Sequence, residues 1–509
     1  MNDLSNFGQI IFIGMEIAAS LFVLLLSLVL IWALFAYIAD VTQTEHAIRR
    51  NYPVIGRFRY VFEHVGEFFR QYFFAMDREE LPFNRAQRSW AYRASKNIDN
   101  TVAFGSTDNL NGVGRVLFVN CAFPPLDIDA VPPRPLTIGT NCKHPYTTNS
   151  IINISAMSYG ALSKPAVRAL SAGAKGAGCW MNTGEGGLSP YHLEGGADIV
   201  FQIGTAKNGV RDFSGNLDDS KLKEIAAHPE VKMFEIKMSQ GAKPGKGGIL
   251  PGGKVTEEIA KIRGIEIGKD ALSPNRHPEI NTFNDLIDMV NRVRDVTGKP
   301  TGFKMVIGAP HQIDELMAAI VSRGIESAPD FITVDGAEGG TGAAPMPLID
   351  SVGMSLKESL PLVVDKLKEY GLRERIKVIA SGKLTTPNSV AAALCTGADF
   401  IASARGFMFA LGCIQALQCN KNTCPTGITT HDPKFQKGLV PEIKSVRVTN
   451  YVNNMVKEVG IIAHSCGVKS PRSLNRTHAR IVVGSGKTQG MDELYPEPEL
   501  MTKEESRLS

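Results

Sequence analysis

A chain of 509 residues that is 43% hydrophobic and 21% charged can bury one large domain with appendages, or two to three domains. A formal net charge of only +4, with no basic tail or arginine-rich run, gives no sign of a nucleic-acid partner. Eight cysteines, five of them scattered singly (Cys121, Cys142, Cys179, Cys395 and Cys466), exclude a secreted disulfide scaffold and point to a reducing compartment.

The first element is "IAASLFVLLLSLVLIWALFAYIA", residues 17 to 39, which are 23 residues without a charge. As a helix this run covers roughly 34 Å, enough to cross a hydrocarbon core of roughly 30 Å. A signal peptide and a buried core helix are the alternatives. A signal peptide needs basic residues ahead of a short apolar run and a small-residue cleavage site. Here only Asp3 and Glu16 are charged before the run, which is long and ends in bulky residues. The run therefore reads as a retained single-pass anchor. Arg49, Arg50, Arg57 and Arg59 follow it and no Lys or Arg precedes it, which orients everything after residue 40 to the cytoplasm. Residues 57 to 78 carry Phe62, Phe68, Phe69, Tyr72, Phe73 and Phe74 among charges. That pattern suits an amphipathic helix at a membrane surface, or equally an aromatic helix packed on the main domain. Residues 80 to 150 are polar and proline-rich and read as an irregular approach.

From residue 150 eight short apolar or β-branched runs recur, most followed by a helical pattern. They are "IINISAM" (151–157), "CWMNTG" (179–184), "IVFQIG" (199–204), "MFEIKM" (233–238), "GFKMVIG" (302–308), "FITVDG" (331–336), "IKVIASG" (376–382) and "FIASAR" (400–405). Eight such units predict an α/β fold of the (β/α)₈ TIM-barrel type, with strands covered on both faces. Chemistry in that architecture gathers at the strands' C-terminal ends, and the unusual residues fall there.

The glycine-rich "DGAEGGTGAAP" (335–345), with "SGK" (381–383) and "ARG" (404–406) on the seventh and eighth units, suits a phosphate-bearing cofactor such as FMN. No G-x-G-x-x-G follows a strand, so no nicotinamide-binding unit is indicated. Lys237 at a strand end, Lys243 on a glycine-rich loop and Arg263 beyond it suit a substrate with more than one carboxylate. Lys246 reads as solvated. Lys304, inside an apolar run, needs an anionic or electron-rich partner to offset desolvation. Glu185 in "NTGEGG" is placed to handle a proton or hold a positively charged nitrogen. Cys413, Cys419 and Cys424 share one stretch as C-x₅-C-x₄-C. Buried thiols, a disulfide and zinc (with His431) are the alternatives, and iron–sulfur ligation by three thiolates fits better.

Long segments, "AMSYGALS", "NTGEGG", "EIKMSQGAKPGKGGILPGGKV", "DGAEGGTGAAP" and "ALGCIQALQCNKNTCPTGI", occur in one order over about residues 150 to 470. In these the chain resembles the FMN-binding synthase domain of glutamate synthase. The resemblance implies FMN at the barrel mouth and a [3Fe–4S] cluster on Cys413, Cys419 and Cys424. It implies an oxidoreductase acting on CH–NH₂ donors, which reduces 2-iminoglutarate, made from 2-oxoglutarate and ammonia, to L-glutamate. By motif, Ala156, Met157, Ser158, Thr183, Gln202, Lys304, Gly339, Gly340, Thr341, Ser381 and Gly382 would contact FMN. Lys237, Lys243 and Arg263 would hold the 2-oxoglutarate carboxylates, with Glu185 and Lys237 at the reacting centre.

Three departures from that family stand out, in the glutaminase domain, in the helical C-terminal domain of the large enzymes, which is not matched here, and in the residue after the second cysteine. The anchor and "SARG" are further differences. No glutaminase segment is visible, since Asn2 follows Met1 and then the anchor begins, so free ammonia or an amidotransferase subunit is expected as the nitrogen source. Asn420 stands where the family often has His. "SARG" at the eighth strand would put Arg405 on the FMN phosphate. The expected organisation is an anchor (1–40), a juxtamembrane and linker region (41–149), the barrel with its cysteine cluster (150–440), and a C-terminal helical extension and tail (441–509). The electron donor is expected to be a ferredoxin or a separate reductase, with a membrane quinone conceivable. Two other readings stay open: an FMN and iron–sulfur oxidoreductase for another 2-oxo acid or amine, and a membrane-tethered electron-transfer subunit.

Overall fold

Eight strands close into one parallel barrel: β1 (Ile152–Ile154), β2 (Met181–Asn182), β3 (Ile199–Ile203), β4 (Val231–Lys237), β5 (Thr301–Met305), β6 (Phe331–Asp335), β7 (Lys377–Ser381) and β8 (Phe400–Ser403). Each pairs with the next in sequence, and β8 returns to β1 through Ile401↔Ile152 and Ser403↔Ile154. All eight apolar runs of the sequence are these strands. The computed structural model describes residues 2–501. It divides into two units, Met1–Ala86 and Gln87–Ser509.

In the first unit, helix α1 (Asn2–Thr42) is followed by α2 (Ala47–Asn51) and α3 (Gly56–Phe69), which runs on as a π-helical turn over Arg70–Phe74. The stretch Gly8–Thr42 is long and apolar enough to cross a membrane by length and composition. Its large side chains, among them Phe22, Leu25 and Phe35, are exposed, so it is not a core helix within this chain.

In the second unit, helices alternate with the strands and carry recognisable ends. Ser163 accepts from the Ala166 N–H at the start of Lys164–Ala177, which stops at Gly178 in the left-handed conformation. Thr282 and Asp285 form a reciprocal capping box on Phe283–Thr297. Inside the barrel toward its N-terminal end, Trp180, Val200, Met233, Phe331, Ile379 and Phe400 form one apolar cluster with Ile138 and Tyr146. The last two belong to a hairpin, Leu136–Ile138 with Tyr146–Thr148, which covers the N-terminal end of the barrel. The stretch read as an irregular approach is thus partly regular. It also contains helix Arg85–Ser95 and strand Val116–Phe118, which pairs with Ala479–Gly484 more than 350 residues later. Pairings of three-residue strands over that separation leave no local pattern to read. The C-terminal extension opens with the helix Pro441–Ser465, and the hairpin Ala479–Gly484/Lys487–Gly490 follows it.

Midway up the barrel the core turns polar. The buried Glu235 carboxylate on β4 accepts from Asn182 Nδ2 (2.8 Å, β2) and Gln202 Nε2 (2.7 Å, β3) on one oxygen. It accepts from Thr333 Oγ1 (2.6 Å, β6) on the other. A carboxylate is an acceptor only, so three donors from three strands satisfy both of its oxygens. Glu235→Leu, which offers no acceptor, is therefore expected to destabilise the barrel by about 1–3 kcal/mol through the donors left unpaired. A lowered unfolding midpoint would show this, and an unchanged one would remove the network from the account.

Candidate active site

The C-terminal end of the barrel is open and holds a cavity of about 650 Å³, within the range of sites that take a cofactor or small substrate. Its wall gathers Ala156, Met157 and Ser158 beyond β1, Glu185 beyond β2 and Gln202 on β3. Lys237 and Lys243 come from β4 and its loop, Arg263 from the helix Glu257–Arg263, and Lys304 from β5. Gly340 and Thr341 follow β6, while Arg405 and Cys419 follow β8.

Two glycines make room for the central carboxylate. A Cβ on Gly204 would lie 2.9 Å from Glu185 Oε2, and one on Gly248 would lie 2.5 Å from Oε1. Seated there, Glu185 Oε1 accepts from Lys237 Nζ at 2.7 Å. Lys237 also donates to Gln240 Oε1 (3.0 Å), and Gln240 Nε2 donates to the Gly340 carbonyl (2.9 Å), tying the β4 loop to the glycine loop after β6. Lys243 Nζ reaches the Ala343 carbonyl at 3.0 Å. Arg263 Nη2 donates to Ser158 Oγ (3.1 Å) and the Tyr159 carbonyl (2.9 Å). Beneath the loop, Asp335 accepts from the Gly241 N–H (2.9 Å) and Ser381 Oγ (2.8 Å).

The cavity is strongly cationic. Burial alone would raise the Glu185 carboxyl, but Lys237, Lys243 and Arg263 hold it below its ordinary value. Burial pushes Lys237 below its ordinary value despite Glu185. Burial, with Lys237 nearby, lowers Lys243 to about 8, and burial lowers Arg263 to about 10. Buried polar atoms are left unpartnered here: Glu185 Oε2 and Arg263 Nε. Lys304 is 5% exposed, and its ammonium has no hydrogen bond or ion pair among the described residues. Such groups need an occupant with matching polarity.

Not every candidate residue faces this space. Thr183 is buried, donating to the Gly184 carbonyl and accepting from the Gln202 N–H, each at 3.0 Å. Gly339, Ser381 and Gly382 are absent from the cavity wall, and the Ser381 hydroxyl is engaged by Asp335. Arg405 donates to the Thr341 carbonyl and approaches Cys419 Sγ at 3.8 Å, bridging the glycine loop and the cysteine loop. Of the three clustered cysteines, Cys419 lines the cavity. Cys413 Sγ accepts from the Gln415 N–H at 3.5 Å, and Cys424 Sγ lies 3.3 Å from Thr426 Oγ1. Burial holds the Cys413 thiol above its ordinary value, with Arg405 opposing that and Cys419 and Cys424 adding to it. No group of three or more His, Cys, Asp or Glu suited to a metal ion occurs among the described residues. His431, the zinc alternative's fourth ligand, has Nε2 on the Gly160 carbonyl at 2.8 Å.

Several contributors escaped the sequence reading. Asn208 Nδ2 holds the Glu185 carbonyl at 2.9 Å, and His277 Nε2 lies 3.1 Å from the Lys237 carbonyl. Lys254 donates to the carbonyls of Ala161 (2.9 Å) and Cys419 (3.2 Å). All three are buried, yet they sit in loops or turns whose burial arises only from tertiary packing. Glu235 did carry a signal, a charge inside the apolar "MFEIKM", the same kind that marked Lys304.

A family model described as a conserved region in glutamate synthase matches residues 124–469. The chain is 42% identical over 481 residues to the glutamate synthase large subunit-like protein YerD of Bacillus subtilis (strain 168), covering 87% of this chain and 91% of that one. It is 35% identical to an archaeal-type glutamate synthase [NADPH] of Thermotoga neapolitana, covering 64% of this chain and 60% of that one. It is 36% identical to an archaeal glutamate synthase [NADPH] of Methanocaldococcus jannaschii, with 65% and 61% covered. The chain thus spans nearly all of the first relative but only about three fifths of the other two. With the barrel, its cationic mouth and a match over more than half its length, this chain belongs to the glutamate synthase family.

Proposed function

We propose that this protein is a glutamate synthase-like flavoenzyme that reduces 2-iminoglutarate, formed from 2-oxoglutarate and ammonia, to L-glutamate. The observation that carries this reading is the Glu185–Lys237 pair at 2.7 Å, set among Lys243 and Arg263 at the open end of the barrel. A dicarboxylate offsets several buried cations at once, which a monocarboxylate or a neutral amine does not.

The residues present fit FMN. Lys304 is buried without a partner, which suits the electron-rich edge of a flavin ring. Backbone at Ala156, Met157 and Ser158 and the Gln202 amide share the same wall with Gly340, Thr341 and Arg405, while Gly339, Ser381 at the end of β7 and Gly382 stand behind it. These residues would hold the cofactor, with Thr183 supporting Gln202 from below. Cys413, Cys419 and Cys424 would hold a [3Fe–4S] cluster, since the donor set is three thiols on one loop with Arg405 and Lys254 beside it. When bound, these groups supply hydride and single-electron chemistry.

The protein's own residues bind, orient and move protons. Lys243 and Arg263 take the two carboxylates, and Lys237 orients the carbonyl end. Glu185 Oε2, buried and without a hydrogen-bond partner, accepts the N–H of the iminium and steadies its charge. The nitrogen arrives as free ammonia or from an amidotransferase subunit. Electrons come from a ferredoxin or a separate reductase. Helix α1 anchors the chain in a membrane with the barrel on the cytoplasmic side.

Anaerobically purified protein is expected to show flavin absorbance and the EPR signal of an oxidised three-iron cluster. Its reduced flavin band should recover on adding 2-oxoglutarate with ammonium, and with neither alone. Absence of flavin, recovery driven by a different 2-oxo acid, or bleaching of the oxidised flavin by an amine would overturn the assignment.

A pH dependence follows from Lys243. Its folded value lies near 8, below the ordinary lysine value, so its charge is lost as pH rises through about 8. Calorimetric affinity for 2-oxoglutarate should be flat below that value and weaken above it, and Lys243→Arg should move the decline to higher pH. Affinity unchanged well above that value would remove Lys243 from the carboxylate site.

A further inference from the structure

At the end of α1 the chain makes a rigid elbow. Asp40 is fully buried, and its carboxylate takes Arg49 Nη2 at 2.7 Å, Arg57 Nε at 2.8 Å and the Val54 N–H at 3.1 Å. Val54, a β-branched residue, is held at a φ of 66°, a conformation such residues rarely adopt without several constraints. At Gly56 a Cβ would lie 2.8 Å from the Ile48 carbonyl oxygen, so α2 and the start of α3 touch backbone to backbone. One carboxylate thus fixes the direction in which α3 leaves α1.

Along α3 and its π-helical turn, Phe58, Phe62, Val65, Phe69, Tyr72 and Phe73 fall on one face, an arc of roughly 100° at about 100° per residue. That face is uncovered: Phe62 is 69% exposed and Phe73 75% exposed. Phe58–Phe62 and Phe69–Phe73 stack along it, with ring centroids 6.5 Å and 5.4 Å apart. Arg59 and Arg70 border one side of the arc, with Glu63 paired to Arg59 at 3.0 Å; Arg57 on the other side is held by Asp40, and Glu67 lies opposite. From Asp40 to Phe74 the chain has five arginines and four carboxylates, of which Asp40 holds Arg49 and Arg57. Aromatic rings flanked by arginines, directly after a segment long enough to span a bilayer, match the boundary between acyl chains and anionic headgroups.

We infer that α3 with its π-helical turn lies in the headgroup region of an anionic lipid surface, its aromatic face toward the acyl chains, set there by the Asp40 clamp. This rests on α1 being a membrane anchor, as proposed above, and the test separates the two.

The full chain, reconstituted in phosphatidylglycerol-containing vesicles with brominated acyl chains, already carries Trp32 in the span and Trp90 and Trp180 in the other unit. Three variants each add one tryptophan: Phe62→Trp, Phe73→Trp and Glu67→Trp. The added emission at 62 and 73 is expected to fall roughly twofold through bromine contact, that at 67 to stay unquenched, and Trp32 to be quenched throughout. Phosphatidylcholine in place of phosphatidylglycerol should reduce the quenching at 62 and 73. Asp40→Asn should remove the difference between 62 and 67. Quenched Trp32 with 62 and 73 as bright as 67 overturns the surface helix and leaves the anchor standing. Unquenched Trp32 overturns both. Quenching indifferent to lipid charge overturns the anionic assignment, and an Asp40→Asn variant that keeps the pattern overturns the clamp.

Discussion

An ammonium and a carboxylate 2.7 Å apart, 52 residues apart in sequence, sit at the open end of this barrel, and the site is organised around them. Taking both charges out of water costs about as much as their attraction returns, so the Glu185–Lys237 pair is a poor device for stability. It makes sense as a fixed charge pattern for a ligand. Gly204 and Gly248 leave space for the carboxylate, Asn208 holds its backbone, and Gln240 carries the ammonium's orientation across to the glycine loop. Lys243 and Arg263 then stand beside the pair as further positive charge, each lowered mainly by burial.

The barrel makes this arrangement possible by being asymmetric along its axis. Its N-terminal end is stopped by aromatic side chains and the hairpin carrying Ile138 and Tyr146. A polar belt around Glu235 lies above, and it fixes Gln202, one of the residues lining the cavity. Only the C-terminal end is left open, so strand direction decides where chemistry is located. Cys419 borders the same cavity, and Arg405 reaches from that cysteine to the Thr341 carbonyl. The glycine loop and the cysteine loop are therefore mechanically one assembly, whichever groups they hold.

Much of this was legible in the chain because barrel strands are buried on both faces and read as continuous apolar runs. Against that background a charge is conspicuous, which is how Lys237 and Lys304 announced themselves. Glu235 carried the same mark and was passed over, since its partners are amides and a hydroxyl from three other strands rather than an opposite charge. Lys254, Asn208 and His277 had no local mark, because their burial is made by distant segments folding over them. Arg405 lies just past the eighth strand, and its bond to the Thr341 carbonyl depends on a loop more than sixty residues earlier. The strand at Val116–Phe118 was hidden for a similar reason: its partner lies at the other end of the domain.

The account stands on Glu185 and Lys237 acting as one unit. The most direct measurement is a double-mutant cycle of unfolding free energy with Glu185→Gln, Lys237→Met and the two combined. If the pair is as described, each single change strands a buried charge and costs about 3–5 kcal/mol, while the double variant loses clearly less than the sum. Losses that simply add would mean the two groups do not sense each other, and the charge pattern on which the site is built would be wrong.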